Sequence, residues 1–186
     1  RVSWFKEPTV VLDDSNPPFF KWFSDGELNV SYNCLDRHLD DKGDKVAFHW
    51  VGEPGDSKDI TYRDLYEEVT KLANGLKSLG VEKGDRVAIY LGMIPELPIS
   101  LLACARIGAI HSVVFGGFAA RELAARVTDA APKLVISASC GIEGTRVIPY
   151  MPLLEEALQI AGTEDMSLVL VSRPQLPLET LGEHSV

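Results

Sequence analysis

Residues 104–118, CARIGAIHSVVFGGF, restrict the fold more than any other stretch of the chain. They read as the end of a buried helix, a glycine stop, a buried strand, and a glycine pair at that strand's carboxyl end. A short strand without alternation asks for burial on both faces, which a parallel sheet between helices supplies. In open α/β sheets ligands sit outside the carboxyl ends of strands. Gly116 and Gly117 therefore stand where a ligand would, and without Cβ atoms the backbone there can turn sharply and be approached closely.

The same pattern runs from residue 60 onward. Thr61 and Asp64 have capping-box spacing, with Asp in place of the usual Glu or Gln. Leu65, Tyr66, Val69, Leu72, Ala73, Leu76 and Leu79 follow helical spacing, and Gly80 stops that helix. Strands are predicted over 87–91, 110–115, 134–137 and 168–171. Helices are predicted between them, over 95–107 with Pro95 in the first turn, over 119–129, and over 153–161. Right-handed crossovers then require an α/β fold, a mostly parallel sheet with helices on both faces. Residues 1–57 differ. They hold all three tryptophans and a Pro-Pro-Phe-Phe run at 17–20, with a short helix expected over 33–39, a strand over 46–51 and a turn over 52–58. The predicted division is an aromatic-rich amino-terminal extension, 1–57, packing on an incomplete first α/β subdomain, 58–186.

Composition narrows the function. A net charge of −9 opposes binding to a phosphate backbone, which needs a basic face. No apolar run reaches the roughly 18 residues of a membrane span, the longest candidate, 94–107, being broken by Glu96 and Arg106. The PPFFKWF segment is expected to pack on the body rather than bind a membrane. Cys34, Cys104 and Cys140 form no CxxC, which points to buried thiols in a reducing compartment. No signal peptide is visible, and a start at Arg1 rather than Met leaves the true amino terminus and any import sequence open, so a cytoplasmic home is expected, or the mitochondrial matrix in a eukaryote. His38, His49, His111 and His184 lack metal-ligand spacing. His111, in a strand expected to be buried, reads as a hydrogen-bonded core residue. Arg106 reads as pairing with carbonyls or an acid. The pairs Asp40-Asp41, Glu67-Glu68 and Glu155-Glu156 read as solvated, since neighbours on a helix do not face one another. Neither GxGxxG, GxxxxGK[ST] nor GxSxG occurs, so no catalytic or metal residue is assigned.

Four segments in order, LNVSYNCLDRH at 28–38, ITYRDL at 60–65, KGDRVAIYLGMIPELPISLLACARIGAIHSVVFGGF at 83–118 and GIEGTRVIPYMPLLEEAL at 141–158, resemble the AMP-forming acyl-CoA synthetases of the acetyl-CoA/propionyl-CoA synthetase family. The resemblance covers about residues 22–172, and the last segment leans toward the propionate-type branch. It implies part of the large amino-terminal domain of an adenylate-forming enzyme. It also implies an acid–thiol ligase reaction, in which a short-chain carboxylate attacks the α-phosphate of ATP, with Mg²⁺, and the CoA thiol displaces AMP. It places Phe115, Gly116, Gly117 and Phe118 along the pantetheine arm of CoA, and Glu143, Gly144, Thr145 and Arg146 in the loop near its 3′-phosphate. Arg146 can hold a phosphate with two parallel bonds. Glu143 stands where some members carry a second arginine, and a carboxylate there repels phosphate. The family's nucleotide loop, acyl pocket and catalytic lysine do not occur in these 186 residues. The expectation is thus an amino-terminal portion, inactive alone, with ATP, CoA and a short-chain carboxylate as small-molecule partners. Two alternatives from other classes are a stand-alone, non-catalytic α/β module binding CoA or a nucleotide, and an interaction domain whose first 57 residues dock a partner.

Overall fold

The computed structural model describes residues 1–181. His184 and the end of the predicted 58–186 subdomain lie outside them. In chain order the elements are β1 (Leu12–Asp13), β2 (Lys21–Trp22), α1 (Val30–Cys34), a 3₁₀ turn (Asp36–His38), α2 (Leu39–Lys42), β3 (Val46–Val51), β4 (Ser57–Thr61), α3 (Tyr62–Ser78), β5 (Arg86–Leu91), α4 (Glu96–Ile107) and β6 (Ile110–Phe115). There follow α5 (Ala120–Ala130), β7 (Leu134–Ala138), β8 (Cys140–Glu143), β9 (Arg146–Pro149), α6 (Met151–Ala161), β10 (Ser167–Val171) and a 3₁₀ turn (Leu178–Leu181).

The core is a four-stranded parallel sheet in the order β10-β7-β5-β6. The step from β5 to β6 runs one way across the sheet, and the steps to β7 and β10 run the other way. Right-handed crossovers therefore put α4 on one face and α5 and α6 on the opposite face. α3 packs against α4, and α5 against α6. α3 starts where the sequence places it: Thr61 accepts from the Asp64 amide while the Asp64 carboxylate accepts from the Thr61 amide. Its Leu65, Val69, Ala73 and Leu76 are buried. β5 and β7, the central strands, are the most deeply buried, as their unbroken apolar runs demand.

β6 departs from expectation. It was expected to be buried, but it lies at an edge, and only Val114 is buried while Ile110, Val113 and Phe115 are exposed. His111 is exposed too, and is not the core histidine predicted. Apolar content reports that a strand can be covered on both faces. Whether it is covered depends on sheet order.

The amino-terminal region differs in detail. The helix expected over 33–39 is α1, the 3₁₀ turn and α2 in succession, and the turn expected over 52–58 is shorter because β4 begins at Ser57 and pairs with β3. Phe19, Phe20 and Trp22 are exposed rather than packed on the body. This region is tied down by Leu35, which is buried in the core, and by polar contacts. The Asn29 side chain donates to the Ala105 and Arg106 carbonyls at 3.0 and 3.1 Å, covering the end of α4. Arg106 holds Asp36 through two 2.8 Å bonds, the acid partner expected for it. Cys104 and Cys140 are buried, and burial pushes the Cys104 thiol up to about 11, but Cys34 is exposed.

Helix ends show where glycine is needed. α4 closes on Gly108 at φ +75°, whereas α5 closes on Ala131 at φ +41°, a left-handed conformation in which a Cβ is strained. Ala131→Gly is expected to stabilise the chain by about 0.5–1 kcal/mol, read as a higher urea midpoint at unchanged slope.

Candidate functional site

Register aligns the four strand ends. Leu91 pairs with Phe115, and Ala138 with Val171, one residue beyond the Tyr90–Ser137 pair. Gly92, Gly116, the base of β8 and the Ser172–Arg173 turn therefore emerge along one edge, the carboxyl edge where α/β sheets bind ligands. Buried polar groups organise it from beneath. The Ser137 hydroxyl donates to the Tyr90 carbonyl at 2.9 Å, and the Tyr90 hydroxyl donates to the Phe118 carbonyl at 2.7 Å. Burial raises the Tyr90 phenol to about 12, so it stays protonated and remains a donor. The Phe118 amide closes the 115–118 turn on the Phe115 carbonyl at 3.0 Å, and the two rings meet edge to face at 5.7 Å.

Gly116 is explained by packing and not by a special backbone angle. Neither Gly116 nor Gly117 has a positive φ. A Cβ on Gly116 would lie 2.6 Å from the Tyr150 hydroxyl and 2.9 Å from both the Gly92 nitrogen and the Leu91 carbonyl carbon. A Cβ on Gly141 would lie 2.7 Å from the Tyr150 ring. Tyr150, the residue before α6, has its ring tilted 39° to that of Tyr90 at 4.8 Å and thus inserts its phenol between the β6 turn and β8. Gly116 is buried under it, Gly117 and Phe115 face solvent, and Phe118 is half-buried.

The 143–146 loop is the tip of a β8–β9 hairpin. Glu143 pairs with Arg146, and Gly144 takes φ +59° at the first central position, the place for glycine in a two-residue hairpin loop. Glu143, Gly144, Thr145 and Arg146 are all exposed, and Arg146 makes no ion pair among the described residues. The tip lies two to three residues beyond Gly141, roughly 7–10 Å along the strand. The Gly144 amide donates to the Glu53 carboxylate at 2.6 Å, which joins this tip to the loop between β3 and β4.

Between that loop and the strand ends lies a cleft of about 310 Å³, whose lining includes Trp50, Glu53, Gly92, Ile94, Tyr150 and Arg173. Trp50 is oriented by its indole N–H, which donates to the Met93 carbonyl at 2.8 Å. Among the described residues no cluster of three His, Cys, Asp or Glu side chains could hold a metal. The described residues thus offer no all-protein cage for a cation.

A family model described as AMP-binding enzyme matches residues 35–185, nearly the whole α/β body. The chain belongs to the AMP-binding enzyme family. A second model, acetyl-coenzyme A synthetase N-terminus, matches residues 1–34 of this family member. The chain is 55% identical over 174 residues to the acetyl-coenzyme A synthetase of Streptomyces avermitilis, covering 93% of this chain and 26% of that protein. It is 53% identical over 178 residues to that of Xylella fastidiosa, covering 93% and 28%. Among solved structures it is similar to the acetoacetyl-CoA synthetase from Streptomyces lividans, with a TM-score of 0.84, 26% identity, and coverage of 100% of this chain and 29% of that one. The chain thus spans about a quarter of the length of these AMP-binding relatives.

Within this AMP-binding fold the two predicted groups, 115–118 and 143–146, share one edge, joined through Tyr150. Four residues of the edge escaped sequence reasoning: Trp50, Glu53, Tyr150 and Arg173. The β8–β9 hairpin that carries Tyr150 into place had a readable signal, Gly-Thr between two short β-prone runs. Nothing local marks the other three.

Proposed function

We propose that this chain is the amino-terminal portion of an AMP-forming short-chain acyl-CoA synthetase, and that its carboxyl edge forms one wall of the CoA site. ATP, CoA and acetate or propionate are the substrates of the whole enzyme in this reading, with Mg²⁺ bound outside this chain. Residues 1–57 act as an extension docked on the first α/β subdomain. No helix among the described residues is long and apolar enough to cross a membrane, and a cytoplasmic enzyme, or a matrix one in a eukaryote, is the home proposed.

One observation carries the CoA reading: an exposed turn bearing Arg146, without an ion-pair partner among the described residues, stands over the same edge as the 115–118 turn. An extended ligand can lie along that edge with its phosphate at Arg146 and its thin arm against the exposed backbone of Gly117. The group works by binding and orientation. Glu143, opposite Arg146 in the hairpin, weakens the phosphate contact and leaves room for a further cation from elsewhere in the enzyme.

In the complete synthetase, Arg146→Ala is expected to raise the KM for CoA about 10- to 150-fold, the worth of one charge-assisted hydrogen bond. Acid-dependent pyrophosphate exchange should be unchanged, and the preference for CoA over dephospho-CoA should disappear. A preserved preference overturns the assignment of Arg146. The 186-residue chain alone should release no pyrophosphate with acetate or propionate; turnover by the pure chain overturns the reading of it as a portion.

A further inference from the structure

We propose that the cleft between the 50–54 loop and the strand ends is a second binding site, separate from the Arg146 turn, in which Tyr150 and Arg173 hold the oxyanion of a small carboxylate. Topology gives its place. The chain leaves β5 through α4 toward one face and leaves β7 through β8, β9 and α6 toward the other. A crevice between adjacent strands whose connections diverge in this way is the binding position of open α/β sheets. Gly92 and Gly141 line it with bare backbone.

Two donors, the Tyr150 hydroxyl and the Arg173 guanidinium, line the same cleft. Tyr150 is 3% exposed as a residue, and it lines the cleft, where its hydroxyl has no hydrogen-bond partner among the described residues. That hydroxyl is free to donate to an acceptor entering the cleft. Arg173 makes no ion pair among the described residues, and its guanidinium has one long 3.3 Å bond to the Cys140 carbonyl. Its charge reaches Tyr150: burial pushes the phenol up, and Arg173 acts in the opposite sense. A guanidinium and a phenol aimed at one space specify an oxyanion.

The remaining lining selects its class. Trp50 and Ile94 offer an apolar wall for a short alkyl group. Glu53 places a carboxylate in the same lining, and it repels a dianion twice as strongly as a monoanion at equal distance. A carboxylate is therefore favoured over phosphate. The volume of about 310 Å³ is at the lower end for ligand pockets and suits a small acid.

The test is a titration of the ¹⁵N-labelled chain with acetate, and separately with inorganic phosphate, at constant ionic strength set by chloride. Acetate should shift the Gly92 and Gly141 amides and the Arg173 Nε–H saturably, with a Kd on the order of 1–10 mM. Phosphate should bind more weakly at these signals. Arg173→Gln should weaken acetate about 10-fold or more. Tyr150→Phe, which keeps the ring and the packing, should weaken it by a smaller factor, and Glu53→Gln should tighten it. Where Arg173→Gln perturbs the spectrum broadly, Arg173→Lys is the second variant: it keeps the charge, loses the fork, and should still bind more weakly. Shifts linear in acetate, shifts equal in the Arg173 variants, or tighter binding of phosphate overturn the proposal.

Discussion

Gly116→Ala is expected to destabilise the chain by about 2–3 kcal/mol, near the upper end for an added methyl in a packed site. The reason is what the new Cβ meets. Two of its three nearest atoms, the Gly92 nitrogen and the Leu91 carbonyl carbon, are backbone at 2.9 Å, and they end a central strand that cannot shift without breaking its pairing. The third is the Tyr150 hydroxyl at 2.6 Å. Tyr150→Phe in the same chain removes that oxygen and leaves the backbone clash, so it should restore only part of the loss. Gly117→Ala is the control. There the added carbon meets the Phe115 ring, which is solvent-exposed and can rotate away, and the cost should stay under about 0.5 kcal/mol. Urea denaturation of the three variants checks this. A Gly117→Ala loss as large as that of Gly116→Ala would contradict the packing described here.

Asp36→Ala should cost a similar amount, about 2–3 kcal/mol. Exposed ion pairs contribute about 0–1 kcal/mol, and breaking a fully buried one costs about 3–5 kcal/mol. The Asp36–Arg106 pair lies between these limits, its side chains 20% and 22% exposed, with both guanidinium nitrogens at 2.8 Å. Asp36 holds the Arg106 guanidinium above its ordinary range, and the same group lies 4.9 Å over the Tyr66 ring. Removing Asp36 strands that charge in a partly desolvated place. Asp36→Ala with Arg106→Met should therefore be less destabilised than Asp36→Ala alone, because the stranded charge is gone. The pair also joins the first 45 residues to α4, so Asp36→Ala should speed proteolysis in that region under native conditions. A double variant as unstable as the sum of the single ones would show that the two side chains do not act together.

The parts legible beforehand are those whose cause is local. Thr61 and Asp64 announce the start of α3, apolar spacing marks α3, and Gly80 and Gly108 mark helix ends. The family was legible for a related reason: its motifs are contiguous runs. Of the proposed site, the sequence named the 115–118 and 143–146 groups, which share one edge of the sheet; the glycine pair was expected to serve a sharp turn and a close approach, whereas Gly116 makes room for Tyr150 and Gly117 faces the Phe115 ring. β6 was expected in the interior and lies at an edge, because a run of apolar residues has the same composition in both places.

By itself, then, the sequence determined the alternation of the four core strands with their helices, the capping box of α3, and the membership of the AMP-binding family, since each rests on residues a few positions apart. Only the tertiary structure decided which strand is the edge, why no side chain fits at Gly116, and which residues line the cleft. Those depend on contacts such as Glu53 with Gly144 or Arg173 with Cys140, made between positions 91 and 33 residues apart. No local period or turn preference encodes such pairs; they exist once the sheet order brings its carboxyl ends together.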